Sequence, residues 1–310
     1  AEWPVHLEPK NPTMDKKLII IVCPTGALID RNQNPTQPYT PEEIAQEVIE
    51  AYNEGACYAH IHCRDQRGYP TYAPEVLKKT LDLIFDECPD ILAAPSTAHG
   101  HPRVGDISKS YDFERLKALV KELLSYGRKY IRGTVFTPVS YTWKNRFTRA
   151  TEENMVAAVK YYQSVGVKPE FMAHSFEALK NVNEWLITPG ILEKPYFITM
   201  APGMHHTGYT HPDPWGLMWL INMRYMLPPD ILIGASCGGH NWLPLATLAI
   251  MLGCDAIRVG KEDTMWLYPH KDEILKKNAE AVRKIATIAK ELGRDIATPD
   301  EAKEILGITD

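Results

Sequence analysis

The sequence predicts an α/β protein folded as a single closed, parallel (β/α)8 TIM barrel, and three observations lead there. Short apolar runs rich in Ile and Val alternate with longer amphipathic stretches, and the alternation repeats eight times. No glycine-rich dinucleotide fingerprint follows the first run, which disfavours an open doubly wound sheet. The 310 residues, 45% of them apolar, supply one large core at a length such barrels commonly reach as one domain.

The first strand is expected at Leu18–Cys23. Its helix opens on Thr40-Pro41-Glu42-Glu43, which combines an N-cap threonine, proline at the first helical position and a glutamate placed to close a capping box. That helix runs to Asn53 and stops near Gly55. The second unit pairs Tyr58–Cys63 with Pro74–Cys88, the third Ile91–Pro95 with Asp112–Tyr126, and the fourth Tyr130–Phe136 with Glu152–Ser164. The fifth pairs Glu170–His174 with Phe176–Trp185, and the sixth Tyr196–Ala201 with Pro214–Met226. Ile231–Ala235 with Trp242–Leu252 makes the seventh, and Ala256–Val259 with Glu273–Leu292 the eighth. A short last helix, Asp300–Leu306, is expected over the barrel rim. Residues 1–16, polar and Pro-rich, read as an N-terminal extension, and 17–310 as the catalytic barrel.

Charge and cysteine usage narrow the function. A net charge of −5 without a run of five or six like charges argues against nucleic-acid or anionic-membrane partners. No apolar run approaches the roughly 18 residues a membrane span needs, and the N-terminal stretch lacks the apolar centre of a signal peptide. The six cysteines, at 23, 57, 63, 88, 237 and 254, form no CxxC pair, and several sit in apolar strand runs where free thiols behave as small hydrophobes. A cytoplasmic address with reduced thiols is expected.

In such barrels chemistry sits at the C-terminal ends of the strands. The second strand carries His60-Ile61-His62, and residues two apart in a strand project to one face. Two imidazoles so placed can share one ion, with an open position left for substrate; the alternative is a hydrogen-bonded polar pair inside the barrel. The eighth strand ends Arg258-Val259-Gly260-Lys261-Glu262-Asp263. Strands two and eight both flank strand one, so Glu262 can reach the same ion and complete a three-ligand zinc site. Asp263 is a candidate base, held ionised and oriented by Arg258; a purely structural ion pair is the competing reading. Ser96-Thr97-Ala98-His99 after the third strand offers hydroxyls and N–H groups for a carboxylate or oxyanion, although a plain turn fits almost as well. His174, His205, His206 and His240 lie at or after later strands and receive no assigned role.

Together, Pro24-Thr25-Gly26-Ala27, Thr40-Pro41-Glu42-Glu43, His60-Ile61-His62-Cys63-Arg64, Ser96-Thr97, Pro202-Gly203 and Arg258…Glu262-Asp263 resemble the β-keto acid cleavage enzymes, in order, over roughly Lys17 to Leu306. The resemblance implies a zinc-dependent acyltransferase that condenses a β-keto acid with acetyl-CoA and releases acetoacetate and a new acyl-CoA. Carried over by position, His60, His62 and Glu262 are its zinc ligands, one ion per chain. Asp263 and Arg258 are the catalytic base and its partner, and Ser96 is a catalytic residue that orients substrate. Thr134 is a further substrate contact by the same resemblance, and Thr97 and His99 in the loop after the third strand are read as substrate contacts from their place there. A homotetramer is implied as well.

Two positions depart from the family's 3-keto-5-aminohexanoate-cleaving member, which has a glutamate after the Thr-Gly-Ala motif and an acid two residues beyond the strand-five glutamate. Here Leu28 and Met172 stand in those places, which points to a neutral substrate tail. His99 and His240 also replace a family glycine and arginine. Two rival classes are a metal-dependent hydrolase of amidohydrolase type, which places its HxH on strand one, and a non-catalytic binding barrel.

Overall fold

In the computed structural model, which describes residues 15–97, 112–143, 146–202, 215–228 and 230–309, the predicted eight strands form one parallel sheet. They are β1 (Ile19–Val22), β2 (Tyr58–Ile61), β3 (Leu92–Pro95), β4 (Gly133–Phe136), β5 (Lys168–Ala173), β6 (Phe197–Met200), β7 (Leu232–Ser236) and β8 (Ala256–Val259). Hydrogen bonding runs β3-β2-β1-β8-β7-β6-β5-β4. The two ends of that row meet where the Arg132 N–H donates to the Ala93 carbonyl at 2.8 Å. Ile21 of β1 lies opposite Tyr58 on one side and Arg258 on the other, so the loops after β2 and β8 converge across β1.

The connecting helices are α1 (Pro41–Asn53), α2 (Pro74–Glu87), α3 (Phe113–Tyr126), α4 (Glu152–Ser164), α5 (Phe176–Val182), α6 (Trp215–Met226), α7 (Trp242–Met251) and α8 (Asn278–Glu291), followed by α9 (Pro299–Leu306). The expected capping box at Thr40–Glu43 is formed, with both reciprocal bonds in place. Alternation along each strand divides the core into two layers. Ile20, Val22, Ala59 and Ile61 face the helices, whereas Ile19, Ile21, Tyr58 and Phe197 face inward. All six cysteines are free and buried.

Several boundaries differ from expectation, each for a local reason. Tyr130 belongs to a short 3-10 turn after Gly127, so β4 begins at Gly133. β2 ends at Ile61 because Cys63–Arg64 pairs antiparallel with Pro70–Thr71 in a hairpin at the barrel mouth. Glu273–Ile274 pairs with Trp266–Tyr268, which delays α8 to Asn278. The last helix, expected over the barrel rim, lies at the bottom end. Its Ala302 and Leu306, with Ile308, join the inward side chains at the strands' N-terminal ends and plug the barrel bottom, opposite the catalytic end.

Candidate active site and metal centre

The candidate site is built by the loops after β1, β2 and β8. Gly260 turns the chain back at the end of β8: its φ is +151°, and a Cβ there would meet the Cys23 carbonyl oxygen at 2.2 Å. The turn is closed by Asp263 and Thr264 N–H groups on the Gly260 carbonyl, at 3.0 and 3.1 Å. Glu262 is thereby directed toward β2. Gly26 is the matching small residue on the β1 loop, since a Cβ there would lie 2.3 Å from Glu262 Cγ.

The geometry brings His60, His62 and Glu262 together. One donor atom from each lies within 4.8 Å of the others. His62 Nε2 is 3.2 Å from Glu262 Oε1, and His60 Nε2 is 3.8 Å from Glu262 Oε2. The two rings meet edge to face, with centroids 4.9 Å apart. Burial holds the His60 pKa well below its ordinary value, so its imidazole is neutral, the form that ligates metals. Burial alone would push the Glu262 carboxyl up, but the Arg258 guanidinium, then His62 and His60, hold it well below the usual carboxylate range. Glu262 Oε2 is buried with no hydrogen-bond partner among the described residues. An orphaned carboxylate oxygen facing two imidazoles is the donor set of a divalent cation site with room for substrate.

Arg258 joins this cluster to Asp263. One guanidinium nitrogen reaches Glu262 Oε1 at 2.8 Å and Asp263 Oδ1 at 3.2 Å, while Nε donates to Asp263 Oδ2 at 2.9 Å. Burial pushes the Asp263 carboxyl up; Arg258 opposes that shift and Glu262 adds to it. A carboxylate so placed is a stronger proton acceptor than one in water.

Two residues without a part in the sequence reading also reach Asp263 Oδ2: Ser236 Oγ at 2.9 Å, from the end of β7, and Cys23 Sγ at 3.3 Å, just after β1. Their signal was inward parity at a strand end, hidden because both are unremarkable residues in apolar runs. Glu170 on β5, given no role in the sequence reading, is also buried; Thr199 Oγ1 donates to it at 2.5 Å, and burial raises its pKa.

Other expected contacts fall elsewhere. Ser96 follows inward-facing Leu92 and Ala94, and its N–H bonds the Ile61 carbonyl at 2.8 Å, beside the histidine strand. The Thr97 and Thr134 hydroxyls bond each other at 2.7 Å, and Tyr162 of α4 donates to Thr97 at 3.3 Å. The pair thus sits on the helix side of the sheet rather than with the carboxylates. His240 is exposed and packs its ring 5.4 Å from Trp266. His174, by contrast, is buried at the end of β5, and burial lowers its pKa to about 4. His99, His205 and His206 lie outside the described residues.

Fold and site together define a (β/α)8-barrel protein with a His-His-Glu candidate metal centre beside a buried Arg–Asp pair. The sequence profile of the beta-keto acid cleavage enzymes matches residues 17–308, and the chain belongs to that family. It is 33% identical over 296 residues to the 3-keto-5-aminohexanoate cleavage enzyme of Acetoanaerobium sticklandii, covering 95% of this chain and 99% of that protein. It is 28% identical to the 3,5-dioxohexanoate:acetyl-CoA acetone transferase of Paraburkholderia graminis, covering 94% and 96% of the two chains. Among solved structures, apo ObcA superposes with a TM-score of 0.71 at 16% identity, which shows the shared fold; the match covers 88% of this chain and 66% of that longer one.

Proposed function

We propose that this protein is a zinc-dependent β-keto acid cleavage enzyme that converts a β-keto acid and acetyl-CoA into acetoacetate and a new acyl-CoA. The observation that carries the reading is the convergence of His60, His62 and Glu262 within 4.8 Å, next to the Arg258–Asp263 pair. His60, His62 and Glu262 would hold the zinc ion, which when bound would supply Lewis-acid stabilisation of the negative charge that develops on the substrate. Asp263 accepts a proton from the carbon between the keto and carboxylate groups. Arg258 keeps that carboxylate aimed and the charge balanced, and Ser96 orients the substrate carboxylate. The carbon nucleophile attacks the acetyl thioester carbonyl and CoA thiolate departs. The thiolate then adds to the former β-keto carbon, the bond between that carbon and the substrate's α-carbon breaks, and Asp263 returns its proton to the acetoacetate carbon.

The substrate tail is neutral in this reading. Met172 forms a separate apolar cluster inside the barrel with Ala201 and partly buried Val135, and half-buried Leu28 follows the β1 motif. An ammonium left unpaired in such surroundings costs several kcal/mol, whereas each buried methylene contributes about 0.8 kcal/mol. The relatives' names support acetyl-CoA as co-substrate. Assembly as a homotetramer is consistent with the exposed apolar side chains Met218, Ile221, Tyr225 and Met226 of α6. No helix among the described residues is long and apolar enough to cross a membrane; a cytoplasmic address is part of the proposal.

The test is a panel of β-keto acids assayed with acetyl-CoA for acyl-CoA and acetoacetate formation, alongside metal analysis and light scattering. Keto acid consumption that does not depend on acetyl-CoA would move the protein to the hydrolase class. No turnover together with no bound metal would leave only a binding barrel.

A further inference from the structure

The Glu262 carboxylate stands in a slot with walls from two different loops. One wall is the β1 loop at Gly26, against which Glu262 packs; the other is the turn after β8 that carries Glu262 itself, directly after Lys261. Both are held from behind by one buried polar network outside the barrel. Lys261, fully buried, donates from Nζ to Glu47 Oε1 on α1 at 2.6 Å and to the Thr36 carbonyl at 2.9 Å. The other Glu47 oxygen accepts from the backbone N and the Nδ2 of Asn278, each at 2.7 Å. Asn278 closes the ring: its Oδ1 accepts the Lys261 N–H at 2.8 Å, and its Nδ2 also donates to the Pro24 carbonyl at 3.1 Å. Gln37 Nε2 ties the Lys261 and Ile29 carbonyls together at 3.0 Å each. Glu262 itself donates its N–H to the Cys23 carbonyl at 3.2 Å.

Docking α1 against α8 does not require this arrangement. Surface pairs Arg283–Glu54 at 2.7 Å and Lys277–Glu50 at 3.0 Å join the same elements. A buried ion pair recovers its desolvation cost only through well-placed hydrogen bonds, and an apolar pair would pack at least as well. What the ionic version adds is direction, because Glu47 holds Asn278, whose side chain in turn bonds the Pro24 carbonyl and the Lys261 N–H, one backbone atom in each loop. We propose that Lys261 and Glu47 are positioning residues for the metal centre, fixing the Glu262 carboxylate where it can complete a cation site. The inference rests on reading His60, His62 and Glu262 as that site.

The test measures zinc affinity by chelator competition, with circular dichroism and thermal melting, on the full chain and three variants. The Lys261→Met/Glu47→Leu double variant replaces the pair by apolar side chains of similar size. It should fold and bind zinc about 10–100-fold more weakly, the range for groups that orient metal ligands. Glu47→Gln, which keeps one acceptor for Asn278, should weaken binding less. Arg283→Ala, which loosens the same helices without touching either wall, should bind as the wild type does. Wild-type affinity in the folded double variant overturns the proposal; if that variant does not fold, wild-type affinity in Glu47→Gln does so. Equal weakening in Arg283→Ala reduces the network to helix docking and also overturns it. A wild-type chain that binds no zinc instead sinks the metal reading, and the inference with it.

Discussion

Replacing Asp263 by Asn tests the proton-accepting role with the least change of shape. In the structure Oδ2 takes donors from Arg258 Nε, Ser236 and Cys23, and Oδ1 takes one from Arg258. An amide has one oxygen, so whichever way it is turned, its NH2 faces at least one of these donors. Arg258 keeps its 2.8 Å bond to Glu262, so no guanidinium is left without a carboxylate. The cost is then one poorly satisfied buried donor, about 1–3 kcal/mol, against a total stability on the order of 5–15 kcal/mol. The variant should fold. Asp263 is not among the His60–His62–Glu262 donors, so zinc should stay at about one ion per chain. Loss of a positioned base lowers turnover by roughly 10²–10⁴, about 3–5 kcal/mol on the barrier, with KM little changed. The assay is acyl-CoA formation at saturating acetyl-CoA, with metal analysis and a thermal melt on the same preparation. Wild-type kcat at wild-type zinc content would return Asp263 to a purely structural ion pair.

Three further outcomes are expected. His60→Ala removes one of three ligands, so metal analysis should find the site empty, with activity lost far beyond any loss of folding; full occupancy would show the ligand assignment to be wrong. For the tail, the wild-type kcat/KM should favour a neutral short-chain β-keto acid over 5-amino-3-ketohexanoate, and Leu28→Glu should narrow or reverse that order. Preference of the unmodified protein for the amino compound would refute the reading of Leu28 and Met172. The third concerns His174, which is neutral in the fold with a pKa of about 4, against about 6.5 when unfolded. Its folded value is depressed, so its contribution is fully present above about pH 6.5 and is lost as pH falls toward 4. The difference amounts to about 3 kcal/mol. Between pH 6.5 and 4 the metal-free wild type should lose about 3 kcal/mol more stability than His174→Gln, and parallel curves would show that His174 does not carry the effect.

The barrel was legible in the chain because its evidence is local. Eight apolar runs, each followed by an amphipathic stretch, require only neighbouring residues to be read, and the Thr40–Glu43 capping box is a four-residue signal. His60 and His62 share a face because a strand alternates every residue, whatever surrounds it. The placement of Glu262 and Asp263 just past the last strand was likewise visible.

Other features had no such signal. Parallel strands are buried on both faces, so apolar patterning does not say which side chains point inward. Thr134, expected as a substrate contact from the resemblance alone, bonds Thr97 through its hydroxyl on the side of α4. Which end of the barrel α9 covers was undecided for a related reason. Its amphipathic pattern marks a face to bury, but only closure of the sheet creates the apolar opening at the barrel bottom that Leu306 fills.

The sequence by itself determined the element order, the paired histidines and the acidic end of β8. The place of β1 between β2 and β8 followed from reading a closed barrel, and the structure has it, bringing residues 60 and 262 together across some two hundred positions of chain. Only the tertiary structure put Cys23 and Ser236 on the Asp263 carboxylate beside Arg258, and Lys261 on Glu47. Periodicity fixes the direction of a side chain relative to its own backbone, whereas partners far apart in sequence are chosen by how the sheet closes and how its loops then pack.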